Sequence, residues 1–158
     1  MGLDAFVYCD CFEKHNLRSD PPAGLVVKVE PSGEPGCADA DERAWTAFMA
    51  WKQNKACLHP GMILLRHRLG APEQVERLRT ELEKDKASFP LLLKAVVYSG
   101  THTCDWIPFA RIEQLAEEVK QLAPERAEKS AADALQLFKI RMAELIIAAQ
   151  HTGKPICF

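Results

Sequence analysis

The chain has 158 residues, 47% of them hydrophobic and 27% charged, with a formal net charge of −2. That apolar content excludes disorder as the main state, and the length suits one sizeable core better than two. The 20 basic side chains are offset by 22 acidic ones, which excludes a general nucleic-acid binder, and no apolar run reaches the ~18 residues of a membrane helix.

Leu3 to Phe12 alternates between two faces, with Leu3, Ala5, Val7, Cys9 and Cys11 on one of them. This pattern predicts a strand covered on both sides. Residues 13–23 contain Pro21-Pro22 and read as a loop. Leu25 to Glu30 reads as a second strand, antiparallel to the first, ended by Pro31-Ser32-Gly33. Asp39 or Asp41 caps a predicted helix over 41–56, striped by Trp45, Phe48 and Met49. Met62 to Leu69 is short and apolar and reads as helix, stopped by Gly70.

Pro72 opens another helix with Val75, Leu78 and Leu82 on one side. Leu91 to Lys94 reads as a helical turn and Ala95 to Tyr98 as a strand. Ser99 to Trp106 is a polar loop. Helices then start at Pro108 and Pro124, the second being the longest and closed by Gly153 and Pro155. Ile156 to Phe158 reads as a short strand or a tucked tail. The expected fold is α+β, a single domain over 1–158. A small, mainly antiparallel sheet packs with about five helices, the last one long.

Three pairs of soft ligands stand out: Cys9-Asp10-Cys11, Cys57-Leu58-His59 and His102-Thr103-Cys104. Residues two apart on an extended backbone point to one side, so each pair is able to meet one metal. Two pairs supply the four N/S ligands that zinc prefers, with Asp10 or Asp105 as outer partners and His15 and His67 as extras. The one-residue spacer is shorter than the usual two to four of structural zinc sites. The competing reading makes Cys9 and Cys11 small hydrophobes on a core face, and Cys57-Leu58-His59 a plain helix end.

A second candidate is the loop carrying Ser99, Thr101, His102, Asp105 and Trp106, which lies between a predicted strand and a helix, where binding residues often sit. His102 suits acid–base work and Cys104 nucleophilic work. Ser99, His102 and Asp105 match a triad by type but are crowded into seven residues. The plainer reading is a turn in which Asp105 caps the helix. A third candidate is Arg66-His67-Arg68, two guanidinium groups flanking an imidazole, suited to a carboxylate or phosphate. Its plainer reading is a solvated edge whose arginine stems cover apolar surface. Neither a phosphate-binding glycine loop nor an H-E-x-x-H zinc motif is present.

The opening Met1-Gly2-Leu3-Asp4-Ala5-Phe6-Val7-Tyr8-Cys9-Asp10-Cys11-Phe12-Glu13 resembles that of a group of small uncharacterised bacterial proteins. The resemblance extends to Leu65-Arg66-His67-Arg68-Leu69-Gly70, Val96-Val97-Tyr98-Ser99-Gly100-Thr101-His102 and Gly153-Lys154-Pro155-Ile156, and implies membership without an activity. In size and style the chain is also similar to cytosolic immunity proteins that neutralise bacterial toxins, a likeness of class with no motif behind it.

The opening residues lack the basic stretch of a secretory signal, so the expected address is cytoplasmic, with reduced cysteines. The expected function is non-catalytic binding of a protein partner, a toxin in the immunity reading, with no nucleic acid and no membrane. Exposed Trp106, Arg66 or Arg68 would serve as anchors. The alternatives are a small metal- or thiol-dependent enzyme using Cys9, Cys11, Cys57, His59, His102 and Cys104, with zinc as the expected metal, and a metabolite-binding domain built on the 99–105 loop.

Overall fold

Alternation of small apolar side chains with larger ones makes Leu3–Tyr8 a strand, β1, in a computed structural model that describes residues 2–38, 41–100, 102 and 105–158. Leu3, Ala5 and Val7 are buried on one face. β2 (Val27–Val29) and β3 (Pro35–Cys37) form a separate antiparallel ribbon. β4 (Ile63–Gly70), β5 (Trp106–Ile107) and β6 (Ile156–Cys157) join β1 in a four-stranded antiparallel sheet of order β4-β1-β6-β5.

Register sorts the side chains. Phe6 pairs with Arg66 on β4 and with Cys157 on β6, and Cys157 pairs with Trp106 on β5. Directly opposed residues share a face, so Arg66, Phe6, Cys157 and Trp106 line one face of the sheet. His67, Ala5, Ile156 and Ile107 line the other.

That inner face packs on helices. α2 (Pro72–Glu83) has proline in its first turn and buries Leu78 and Leu82; the Gln74 side chain accepts the Ala71 N–H at 2.8 Å. α3 (Ile112–Gln121) buries Ile112, Leu115 and Val119. α4 (Lys129–Thr152) buries Leu135, Phe138, Met142 and Leu145 along one stripe. It stops at Gly153, whose φ of +70° is a left-handed cap that glycine adopts without strain. These helices and the inner face form the main core.

A second, smaller core gathers Cys9, Cys11, Phe48, Trp51, Ala56, Cys57 and Met62. Phe48 and Trp51 come from α1 (Glu42–Asn54), whose first turn is capped by Asp41 accepting the Ala44 N–H at 2.8 Å. The Trp51 indole donates to the Ser19 carbonyl at 2.9 Å, which pins the 13–23 loop on this core.

The α+β class, the small antiparallel sheet and the long last helix match the expectation from sequence. Several elements differ. Met62 to Leu69, expected as helix, is β4: Leu65, His67 and Leu69 alternate with the exposed Arg66 and Arg68, and pairing with β1 decides a run too short for periodicity to settle. Ala95 to Tyr98, expected as a strand, is not one: Ala95 and Val96 belong to a π-helical turn over Leu92–Val96. β1 ends at Tyr8 rather than Phe12, and β2 pairs with β3 instead of β1. A 3₁₀ turn at Pro124–Arg126 precedes α4, which begins at Lys129. Asp39, Thr101, Thr103 and Cys104 lie outside the described residues. Among the described residues, no helix is long and apolar enough to cross a membrane.

Candidate metal centre

The β1–β4 register builds the site. Beyond Tyr8↔Ile63, the Cys9 N–H donates to the Met62 carbonyl at 2.8 Å, so the end of β1 meets the segment just before β4. That segment folds through a 3₁₀ turn at Pro60–Met62, with Gly61 at φ +63° and Met62 at φ +60°. A left-handed methionine is strained by roughly 1 kcal/mol or more and persists only where its surroundings hold it. Met62 is fully buried beside the cysteines. The turn folds Cys57 and His59 back onto Cys9 and Cys11.

One ligand atom from each of Cys9, Cys11, Cys57 and His59 lies within 4.8 Å of every other. The Cys9 and Cys57 sulfurs are 3.7 Å apart, Cys11 Sγ is 3.4 Å from His59 Nδ1, and Cys57 Sγ is 3.7 Å from the same nitrogen. A zinc tetrahedron with bonds of ~2.3 Å to sulfur and ~2.0–2.1 Å to nitrogen has edges of ~3.8 Å (S···S) and ~3.6 Å (S···N). All three distances fall close to those edges. The thiols are free, not bridged.

The surroundings suit a cation. The three cysteines are buried and His59 is half-buried. Burial pushes the Cys9 and Cys11 thiols above their ordinary range. Three thiolates in so apolar a pocket need a compensating positive charge, and a divalent metal supplies it. The His59 N–H already donates to Cys57 Sγ at 3.4 Å, an outer hydrogen bond that steadies a thiolate. Asp10 pairs with Lys14 at 2.5 Å.

Of the third expected pair, Cys104 lies outside the described residues, and His102 does not join the first two. His102 lies beside Tyr98 and Phe158, its Nδ1 3.2 Å from Asp105. With Ser99 it borders a cavity of about 420 Å³ near Gly2, Leu3 and Asp4, at the other end of β1 from the cluster. Asp105 also accepts the Tyr98 hydroxyl. Asp105 and Trp106 line a different cavity, above the outer face of the sheet.

Arg66, His67 and Arg68 do not converge either. Strand alternation sends the arginines outward, with Arg66 over the Phe6 ring at 5.3 Å, and turns His67 inward to Glu144 of α4 at 2.7 Å.

Among the described residues, three buried charged groups escaped sequence reasoning. Glu118 of α3 accepts the N–H groups of Leu91 and Leu92 at 2.8–3.0 Å, and Lys154 pairs with Glu13. Lys52 pairs with Glu34 and lies over the Tyr8 ring at 5.4 Å. Each stands on a helical or turn segment where a charged residue normally signals solvent, and nothing local marks them. Comparison with known proteins finds no match among family models, curated proteins or solved structures.

Proposed function

We propose that the chain is a non-catalytic zinc-binding protein in which Cys9, Cys11, Cys57 and His59 hold one structural zinc ion, and that it works by direct contact with a protein partner. The observation that carries the metal assignment is the match between the sulfur and nitrogen separations and the edges of a zinc tetrahedron. Four protein ligands complete the coordination shell, which is the pattern of structural sites; a catalytic zinc keeps a position for water. The metal would tie together a small core that holds few large apolar side chains.

The partner half of the reading draws support from Leu58. It lies between two ligands and is 72% exposed, so the metal would fix an apolar side chain in solvent. The likeness to immunity proteins makes a toxin the first partner class to try.

The test of the metal is zinc content of the purified, reduced protein by inductively coupled plasma mass spectrometry. About one zinc per chain, lost in Cys9→Ala and Cys57→Ala and kept in Cys37→Ala, supports the site. Zinc-free protein that still does not take up zinc after reduction overturns it. For the partner, a stoichiometric complex from the native host that survives in wild type and fails in Leu58→Asp, with zinc retained, supports direct contact. Equal complexes from both proteins remove Leu58 from the interface.

A further inference from the structure

We propose that the trough on the outer face of the sheet is a binding site for a small methylated ammonium ion. Its floor follows from strand register. Cys157 on β6 lies between Phe6 on β1 and Trp106 on β5, all on one face. A small side chain between two large aromatic ones makes a groove. Two strand spacings set its width at ~10 Å between backbones, and at its middle the Ser32 carbonyl meets the Cys157 sulfur at 3.1 Å, which leaves the exposed Trp106 side as the open part.

The end walls are aromatic too. Tyr8 meets Phe6 edge to face, with ring centroids 5.3 Å apart and planes at 90°, and so closes a corner. Phe158 borders the cavity at its other side. The 30–34 turn of the β2–β3 ribbon forms the roof. The cavity, open on one side, has a volume of about 420 Å³, ample for a choline-sized molecule.

Charge sets the sign of the ligand. Among the described residues, three carboxylates, Glu30, Glu34 and Asp105, line the cavity, and no lysine or arginine does. Glu34 is paired with Lys52, and Asp105 is held by Tyr98 and His102. Among the described residues, no cation pairs with Glu30. Aromatic faces carry negative potential and add to that of the acids. The chain's own Arg66 over Phe6 and Lys52 over Tyr8 show which charge this face attracts. Trp106 is 41% exposed, and among the described residues no cation stands over it. An exposed indole at the mouth of an acidic aromatic trough is the element that a methylated ammonium would cover.

The thiol at the floor is not a reactive group. Cys157 Sγ donates to the Ser32 carbonyl at 3.1 Å, and burial followed by the nearby Glu34 pushes its pKa up to about 12. The trough therefore offers recognition without a nucleophile. Methyl groups on the cation meet the ring faces, and its charge is met by the carboxylates around them.

The experiment is calorimetric titration of the full chain with choline and with its neutral isostere 3,3-dimethylbutan-1-ol. We expect saturable binding of one choline per chain and at least tenfold weaker binding of the isostere. Trp106→Ala and Glu30→Gln should each weaken choline binding about tenfold or more and threefold or more, respectively, with circular dichroism and zinc content unchanged. Equal binding of both compounds would show an apolar cavity only and overturn the proposal. So would absence of saturable binding by choline and tetramethylammonium, or full affinity in Trp106→Ala. A short peptide carrying trimethyllysine, titrated beside choline, assigns the source: tighter peptide binding points to a modified protein side chain, tighter choline binding to a free metabolite. Because Cys57→Ala removes the zinc site and Trp106→Ala removes the trough, failure of one proposal is distinguishable from failure of the other.

Discussion

The sulfur atoms of Cys9 and Cys57 stand 3.7 Å apart across 48 residues of chain. That is far beyond the ~2.05 Å of a disulfide and close to one edge of a zinc tetrahedron. A bound metal would hold both sulfurs as thiolates yet shield them from reagents. We therefore expect Cys9, Cys11 and Cys57 to resist a maleimide in the native protein. They should become reactive after a strong chelator, with peptide mass spectrometry locating the three new adducts. Identical labelling before and after chelation would falsify metal protection.

Metal binding to the folded state alone adds stability by mass action, about 2.7 kcal/mol when free metal is one hundred times its Kd. For a chain of this size that corresponds to a Tm change of roughly 5–10 °C. Chelator should lower Tm by that amount, and Cys57→Ala should already sit at the lower value and respond no further. Calorimetry with and without chelator checks both. A Tm drop in chelator-treated Cys57→Ala equal to that of wild type would mean that the stabilising ion binds elsewhere.

Gly61 precedes Met62 in the turn that returns His59 to the cluster, and its φ is +63°. A Cβ there would lie 3.2 Å from the Gln53 amide oxygen. Gly61→Ala combines a left-handed alanine with that close contact and should cost about 1–2 kcal/mol. Because the same turn positions the histidine ligand, zinc affinity should fall by at least fivefold, read by competition with a chromogenic chelator. Loss of stability with unchanged zinc affinity would separate the turn from the site.

Glu118 is 4% exposed, and its carboxylate accepts the Leu91 and Leu92 N–H groups and the Gln114 side-chain amide at 3.1 Å. It satisfies the open N-terminal donors of the helical segment that leads into the Leu92–Val96 turn. Glu118→Ala leaves those donors buried and unpaired, at a cost of about 2–4 kcal/mol, whereas Glu118→Gln keeps an acceptor and should cost less. Urea unfolding of the two variants gives the comparison. Equal losses would assign the role to charge rather than to hydrogen bonding.

The two ligand pairs that meet were legible from their shared one-residue spacing, although neither lies in a strand: β1 ends at Tyr8, and Cys57 to His59 form a bend after α1. What joined them was not legible. It depends on antiparallel pairing of β1 with a segment whose pattern, Ile63 to Gly70, is compatible with either period over so few residues. The same pairing turned His67 inward and the arginines outward, which dissolved a cluster that looked continuous in sequence. His102 shares the spacing of the other pairs but sits by Gly2 and Leu3, because its loop returns to the opposite end of the sheet. Spacing reports which residues share a face; only long-range register reports which faces meet. The aromatic trough shows the same limit, since Phe6, Trp106 and Cys157 are distant in sequence and adjacent only across three paired strands.

Cys157 gives the molecule a built-in alkaline weakness. Burial first, and Glu34 next, raise its pKa from near 9 to about 12. The unfolded chain loses that proton from pH 9 upward, while the folded chain keeps it until about pH 12. In that window the folded state binds more protons than the unfolded state, so stability falls as pH rises. The contribution is fully present below pH 9 and is lost progressively by pH 12, amounting to up to about 4 kcal/mol. Cys157→Ala removes the ionisable group and leaves every other titrating residue in place. Its urea-unfolding stability should fall less steeply than that of wild type between pH 9 and 12, even if it starts lower at pH 8 for want of the buried sulfur. Parallel curves for the two proteins across that range would mean that Cys157 ionises alike in both states, and would place the alkaline sensitivity on other groups such as Tyr8, whose hydroxyl is also pushed up by burial and by Glu34.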